Sequence, residues 1–426
     1  MQIELQVSIE IQGKQHLVGF ITGNTSEDAT FIYADSYLEL PHIRPISLNL
    51  PLQKESFTPE QTRIFFEGLL PEGFSRTSVA NWLKADEDDY VRILENLGRE
   101  CLGAVQVYKE EDKRDDVFYE PLSREQVCAL AAEGATQSTK LLMETHLSLA
   151  GASGKVGLYF HQDSKRWYLP KGRAASTHIV KQSHVRLHQM VLNEQLCMLT
   201  AKKIGIEVPQ SFIIDLGKGE DDKVLYATKR YDRVLDSDRQ VDDLSYPLRL
   251  HQEDFSQALG IPSNQKYERS VSSYMKKMFQ ILNDFSSNPI EDKMKLWDMI
   301  VFHYLIGNTD GHVKNFSLLY SADMKSIRLA PAYDIVSTSV YGLTDEMSFY
   351  IGGELKRSNM DRETFQEAAR EVQLGEKIAM QRYDYIADNI QYCLEEAAKE
   401  LYDSGFQDVF EVKNQISSLI RERLQP

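Results

Sequence analysis

The chain has 426 residues, of which 42% are hydrophobic and 10% aromatic, enough for two or three domains with sizeable cores. Its formal net charge of −16 argues against broad direct contact with nucleic acid, which needs a basic surface; a local basic patch, or DNA held through a partner, stays compatible with it. The cysteines Cys101, Cys128, Cys197 and Cys393 lie far apart with no CxxC pair, as expected of reduced thiols in a cytoplasmic protein.

Met1–Val7 alternates like a strand and lacks the basic-then-apolar order of a signal peptide. The alternating runs 2–11 and 15–22 predict a hairpin around Gly13-Lys14. Thr58-Pro59-Glu60-Gln61 predicts a helix start, with Thr58 as cap and Ile64, Phe65, Phe66, Leu69 and Leu70 facing a core. A second helix is expected from about Asp86 to Leu97, stopped by Gly98. The charged run 109–116 reads as a solvated linker, and Ser123-Arg124-Glu125-Gln126 opens a further helix by a capping box. Strands follow at 167–169, 177–181, 211–215 and 224–231, with a helix over 187–204 ended by Gly205.

From residue 250 onward the pattern is mainly helical. Met294, Trp297, Val301, Tyr304 and Leu305 recur at helical spacing and predict a buried helix. The apolar stretch Met299–Ile306 is too short to span a bilayer, so a soluble cytoplasmic protein with no membrane partner is expected. The order of elements predicts an α+β, bilobal, protein-kinase-like fold with three segments. These are an amino-terminal subdomain (1–116), a β-rich nucleotide-binding segment (117–235) and a helical catalytic lobe (236–426), with nucleotide in the cleft between lobes.

The chemistry concentrates behind the predicted buried helix. Asp310 is followed by Asn315 after four residues and by Asp334 further on, within Thr309-Asp310-Gly311-His312-Val313-Lys314-Asn315 and Tyr333-Asp334. Phosphoryl transfer needs such a set: one acid to meet the attacking hydroxyl, and an amide and a second acid to hold magnesium on the phosphates. Taken singly, each residue also suits an ordinary polar turn. Ala150-Gly151-Ala152-Ser153-Gly154-Lys155 is a candidate phosphate loop, since small residues let backbone N–H groups approach phosphate. It is not a Walker A loop, and a plain hairpin turn competes with that reading. Lys181 ends an apolar strand and is a candidate for the phosphates, with Glu194 either its partner or a solvent-facing glutamate. Lys229, Arg230 and Tyr231 stand where backbone can meet adenine, or else form a charged strand end. His184 and His188 lack a third ligand and read as non-metal histidines.

These segments resemble the HipA-like serine/threonine kinase toxins of bacterial type II toxin–antitoxin modules. The likeness covers nearly the whole chain: Arg44–Leu52, Leu147–Ala152, Tyr168–Gly172, Thr177–Lys181, Arg230–Arg233, Gln252–Asp254, Lys266–Glu268, Thr309–Asn315 and Tyr333–Ile335. It implies an ATP- and Mg2+-dependent protein kinase, with the Thr309–Asn315 residues and Tyr333-Asp334 at the nucleotide. It also implies a protein substrate of the translation machinery (glutamyl-tRNA synthetase, an aminoacyl-tRNA synthetase, in the best-known case), a HipB-like helix-turn-helix antitoxin, and operator DNA held mainly through that antitoxin. It further implies autophosphorylation at Ser148. Where the best-known member has Gln-Glu before the loop lysine, this chain has Ser153-Gly154, and Ser153 offers a second hydroxyl. A small-molecule kinase of the aminoglycoside or choline type, and a catalytically silent corepressor, are the alternatives left open.

Overall fold

The structure, a computed structural model, describes residues 3–112, 116–132, 134–145, 149, 154–182, 187–217 and 219–424. The fold is mixed α/β. The chain forms two compact units, one from Met1–Gln182, Ala227–Ser263 and Leu319–Ile327, the other from Ser183–Tyr226, Asn264–Leu318 and Arg328–Pro426. This division differs from the three segments expected from the sequence, because 236–263 and 319–327 fold with the amino-terminal residues.

In the first unit, Thr30–Tyr33, Lys14–Gly23, Ile3–Ile11 and Val105–Tyr108 form a sheet in that order. The expected hairpin is present. Gln12 and Gly13 both have positive φ, as a two-residue turn matched to strand twist requires. Leu5, Val7 and Ile9 are buried on one face of their strand, and Ser8 and Glu10 are buried on the other. The helix Pro59–Gly68 begins at Thr58 with a full capping box to Gln61, and Phe65 and Phe66 are buried against Phe31 and its neighbours. The next expected helix is shorter, Tyr90–Leu97, capped by Asp89. A helix not foreseen, Gly73–Leu83, precedes it; its glycine, serines and threonine carry weak helix propensity, and packing supplies what they lack. Gly98 does follow Leu97, but with φ −70. Its role is close approach: a Cβ there would sit 2.7 Å from the Val107 carbonyl oxygen.

A second sheet of this unit runs Val117–Pro121, Arg166–Gly172, Lys155–His161, His178–Gln182 and then the end of Val224–Lys229. The helix Arg124–Ala132 starts as expected, Ser123 and Gln126 exchanging side-chain-to-backbone bonds. Beneath the sheets lies an ionic network that no spacing announced. Arg230, Arg233 and Arg249 converge on Glu100, Asp232 and Glu10, all nearly inaccessible. Burial alone would raise the Glu100 carboxyl, but the three guanidiniums outweigh it and hold the group well below the ordinary carboxylate range.

In the second unit the helix Pro289–Ile306 is the centre of packing. Trp297, Val301, Tyr304 and Leu305 are fully buried, whereas Met294 is only half-buried. The Trp297 indole donates to the Ala379 carbonyl, 2.9 Å. The helix Met190–Lys203 and the helices Arg362–Glu371, Glu376–Asp403 and Val409–Leu424 belong to the same unit. No helix among the described residues is long and apolar enough to cross a membrane.

Candidate active site

The acid loop is built on the end of the helix Pro289–Ile306. Gly307 closes it with φ +73, a left-handed cap that glycine adopts without strain. The carbonyls that a helix end leaves unpaired are taken up by two distant segments. Arg357, buried, donates to the carbonyls of Tyr304 (2.7 Å) and Leu305 (3.2 Å). The Ser337 hydroxyl donates to the Ile306 carbonyl at 2.5 Å, and the Ser339 N–H to that of Gly307 at 2.9 Å. Asn193 then clamps Ser337 in both directions, accepting its N–H at 3.0 Å and donating to its carbonyl at 3.1 Å.

Beyond this clamp the loop is fixed residue by residue. The Thr309 N–H donates to the Thr338 hydroxyl (2.7 Å), and the Thr309 carbonyl accepts from Ser348 (2.8 Å). The Asp310 N–H donates to the Asn308 side chain, and the His312 N–H to the Asp310 carbonyl. Gly311 is required by space: a Cβ would come within 2.3 Å of His303 Nδ1. Burial pushes His303 down to about 4, so the group that Gly311 packs on is neutral at physiological pH.

The predicted residues come together here. Asp310 is exposed, with the Tyr267 phenol hydrogen-bonded to its Oδ1. His312 is buried, its ring 5.1 Å from that of Tyr267 and edge-on to it. Val313, Lys314 and Asn315 form a buried turn. Asn315 Nδ2 lies 3.5 Å from Asp334 Oδ2, and Asp334 holds φ +57, a strained conformation for a residue with a side chain. The Tyr333 phenol bonds to Ser317 Oγ at 2.6 Å and to the Lys314 carbonyl at 2.9 Å, locking the Asp334 segment onto the loop.

Asn315 Oδ1 is buried and, among the described residues, has no hydrogen-bond partner. A desolvated amide oxygen costs free energy unless something meets it. It is a hard oxygen beside a carboxylate, the donor type that magnesium takes together with phosphate oxygens. Asn315 and Asp334 therefore fit a magnesium ion.

Of the other candidates, Lys155, Lys181, Lys229, Arg230 and Tyr231 belong to the first unit and Glu194 to the second. Lys155 and Lys181 are register partners on adjacent antiparallel strands, which places both on one face of the sheet. Ser148, Ala150, Gly151, Ala152 and Ser153 lie outside the described residues, as does His184. Lys229 is half-buried at a strand end, and its charge, after burial, helps push His178 down to about 4. The Tyr231 phenol bonds to Gln252. At Arg230 the expected contact with adenine is through backbone, and its N–H donates to the Thr177 carbonyl at 2.9 Å. Its guanidinium, 0% exposed, is spent on Asp232, Glu100, Ser176 and the Cys101 carbonyl. This side chain is a structural cation with no donor left for a nucleotide. Glu194 is buried, which removes the solvent-facing reading.

Sequence reasoning missed Tyr267, Ser337, Thr338, Ser348 and Arg357. Only Tyr267 carried a signal, within the Lys266–Glu268 segment; the rest are serines, a threonine and an arginine whose importance arises from three-dimensional proximity.

A mixed α/β chain that sets an exposed acid, a buried amide and a second acid at one helix end defines a recognisable class of protein. The HipA-like C-terminal domain matches residues 147–394 and the HipA N-terminal domain residues 9–108. The chain belongs to the HipA family. It is 32% identical to Y4mE of Sinorhizobium fredii, a protein with the word kinase in its name, over 88% of this chain and 87% of that one. It is 25% identical to the serine/threonine-protein kinase toxin HipA of Shewanella oneidensis, over 77% and 75%. The fold matches a chain in the solved complex of Shewanella oneidensis HipA, HipB and operator DNA. That match has a TM-score of 0.79 at 22% identity and covers 99% of this chain and 97% of the other.

Proposed function

We propose that this protein is an ATP- and magnesium-dependent serine/threonine protein kinase of bilobal, phosphoinositide-kinase-like type, acting as the toxin of a toxin–antitoxin pair. The observation that carries the reading is Asn315 Oδ1, buried and without a hydrogen-bond partner among the described residues, on the loop that exposes Asp310 and next to Asp334. Asp310 orients the acceptor hydroxyl and takes its proton as the oxygen attacks the γ-phosphorus and ADP leaves. Asn315 and Asp334 hold magnesium, which when bound neutralises charge on the phosphates. Lys155 and Lys181 are candidate phosphate-binding cations, and the clamp on the helix end holds the acid loop, so that little reorganisation accompanies transfer.

The acceptor is a protein of the translation machinery, with an aminoacyl-tRNA synthetase such as glutamyl-tRNA synthetase the first candidate. The partner is a HipB-like helix-turn-helix antitoxin, through which the chain joins operator DNA. Phosphate on Ser148 would add about −1.5 to −2 charges beside the phosphate loop and so shut the enzyme down.

The test is transfer from γ-labelled ATP into the proteins of a heat-treated bacterial lysate. Asp310→Asn and Asp334→Asn should each lower the rate more than about 100-fold with the melting temperature unchanged. Near-wild-type transfer in either variant would overturn the assigned roles. Intact mass of the same reaction reads self-modification, and a mass gain that persists in Ser148→Ala would sink that site.

A further inference from the structure

Tyr267 is in direct contact with the Asp310 carboxylate, and the phosphotransfer scheme does not use it. Its phenol is hydrogen-bonded to Asp310 Oδ1, and its ring edge packs on His312, 5.1 Å between centroids. Both neighbours belong to the loop that would carry the reaction.

The placement is built rather than incidental. Glu268, the next residue, donates its N–H to the Ser348 carbonyl at 2.8 Å and accepts the Tyr350 N–H at 2.9 Å. Its other carboxylate oxygen accepts the N–H groups of Ser272 (2.5 Å) and Tyr274 (3.3 Å). Ser348 in turn donates its hydroxyl to the Thr309 carbonyl at 2.8 Å. The strand Glu346–Ile351 thus fixes Thr309 on one side and Glu268 on the other, and Tyr267 and Asp310 are adjacent to those two fixed points. Two anchored backbones hold the phenol and the carboxylate at hydrogen-bonding distance. An exposed aspartate otherwise samples several rotamers at little cost, and a base that must meet one hydroxyl loses rate with each unproductive orientation.

We propose that Tyr267 is a positioning residue for phosphoryl transfer, its hydroxyl holding the Asp310 carboxylate in the orientation that meets the acceptor. This rests on the kinase reading above. A pinned backbone suits a permanent support better than a plug that the acceptor displaces.

The experiment measures the initial rate of label transfer into heat-treated lysate protein at saturating Mg-ATP, the KM for ATP, and the melting temperature. It uses full-length wild type, Tyr267→Phe and Tyr267→Leu. Tyr267→Phe keeps the ring against His312 and removes only the hydroxyl. It should lower the rate about tenfold, with KM for ATP within about twofold and melting unchanged. Tyr267→Leu should match that loss in rate and also melt lower. A Tyr267→Phe rate equal to wild type would overturn the proposal by making the tyrosine mere packing. A rate above wild type would overturn it by making the phenol a plug, and a rate loss matched by a lower melting temperature would assign the residue to stability. Absence of transfer by wild type would instead overturn the kinase reading on which the proposal stands.

Discussion

At the residue scale, the chain places most of its costly buried groups where partners offset part of the cost. Glu253 is a buried carboxyl that accepts from the Ser47 hydroxyl (2.6 Å), the Leu48 N–H (3.1 Å) and the Tyr320 hydroxyl (2.6 Å). No cation is among these partners. Burial pushes it up to about 7, the three donors only partly opposing. Its folded pKa lies above its unfolded one, so the folded state binds the extra proton between about 4.5 and 7. Its contribution to stability therefore falls as pH rises through that window and is flat above it. The neutral buried histidines His178, His251 and His303, each pushed down by burial to about 4, act in the opposite sense. The difference between wild type and Glu253→Gln isolates the carboxyl. Unfolding free energies from urea titrations at pH 5 and pH 8 should fall more steeply in wild type than in the variant, and parallel profiles would refute the assignment.

At the scale of elements, the site depends on the termination of one helix. A carboxy-terminal helix end carries partial negative charge and unpaired carbonyls, and Arg357 answers both with donors to Tyr304 and Leu305, with a further donor to Leu419 of the helix Val409–Leu424. Its pKa is pushed down to about 10, chiefly by burial and then by Arg423, yet it stays charged at neutral pH. Arg357→Ala should cost about 2–3 kcal/mol in urea unfolding and slow transfer as well, because the acid loop begins a few residues past the helix end it stabilises. A variant as stable as wild type would show that the helix needs no such cap. The elements most legible in sequence were those with local signals: the Gln12–Gly13 hairpin, the Thr58 capping box, and the helix containing Trp297. The helix Gly73–Leu83 was not legible, since its stabilisation is tertiary.

At the scale of the whole molecule, membership of the HipA family and a net charge of −16 set the terms for partners. Phosphate contacts need cations, and counterion release provides little to a surface so acidic. On the proposed division of labour, the chain alone should leave operator DNA unshifted in a gel at about 150 mM salt, the regime where nonspecific contacts are already weak, and should shift it only together with the proposed helix-turn-helix partner. Tight binding by the isolated chain would contradict the proposed division of labour. The network of Arg230, Arg233, Arg249, Glu100, Asp232 and Glu10 is buried within the first unit. Removing one member of such a set leaves an uncompensated charge.

The amino-acid sequence by itself singled out Asp310, Asn315 and Asp334, because their spacing is the polar set that phosphoryl transfer requires, and the fold brings Asn315 and Asp334 together. It also determined the candidate lysines, but not that Lys155 and Lys181 share a sheet face, since register follows from strand pairing. What only the tertiary structure decided is which side chains hold that loop still. Tyr267, Ser337, Ser348 and Arg357 act through contacts with residues distant in sequence, and such contacts leave no periodicity to read. Arg230 makes the same point: its guanidinium meets Asp232 and Glu100, carboxylates that only the fold brings to that strand end.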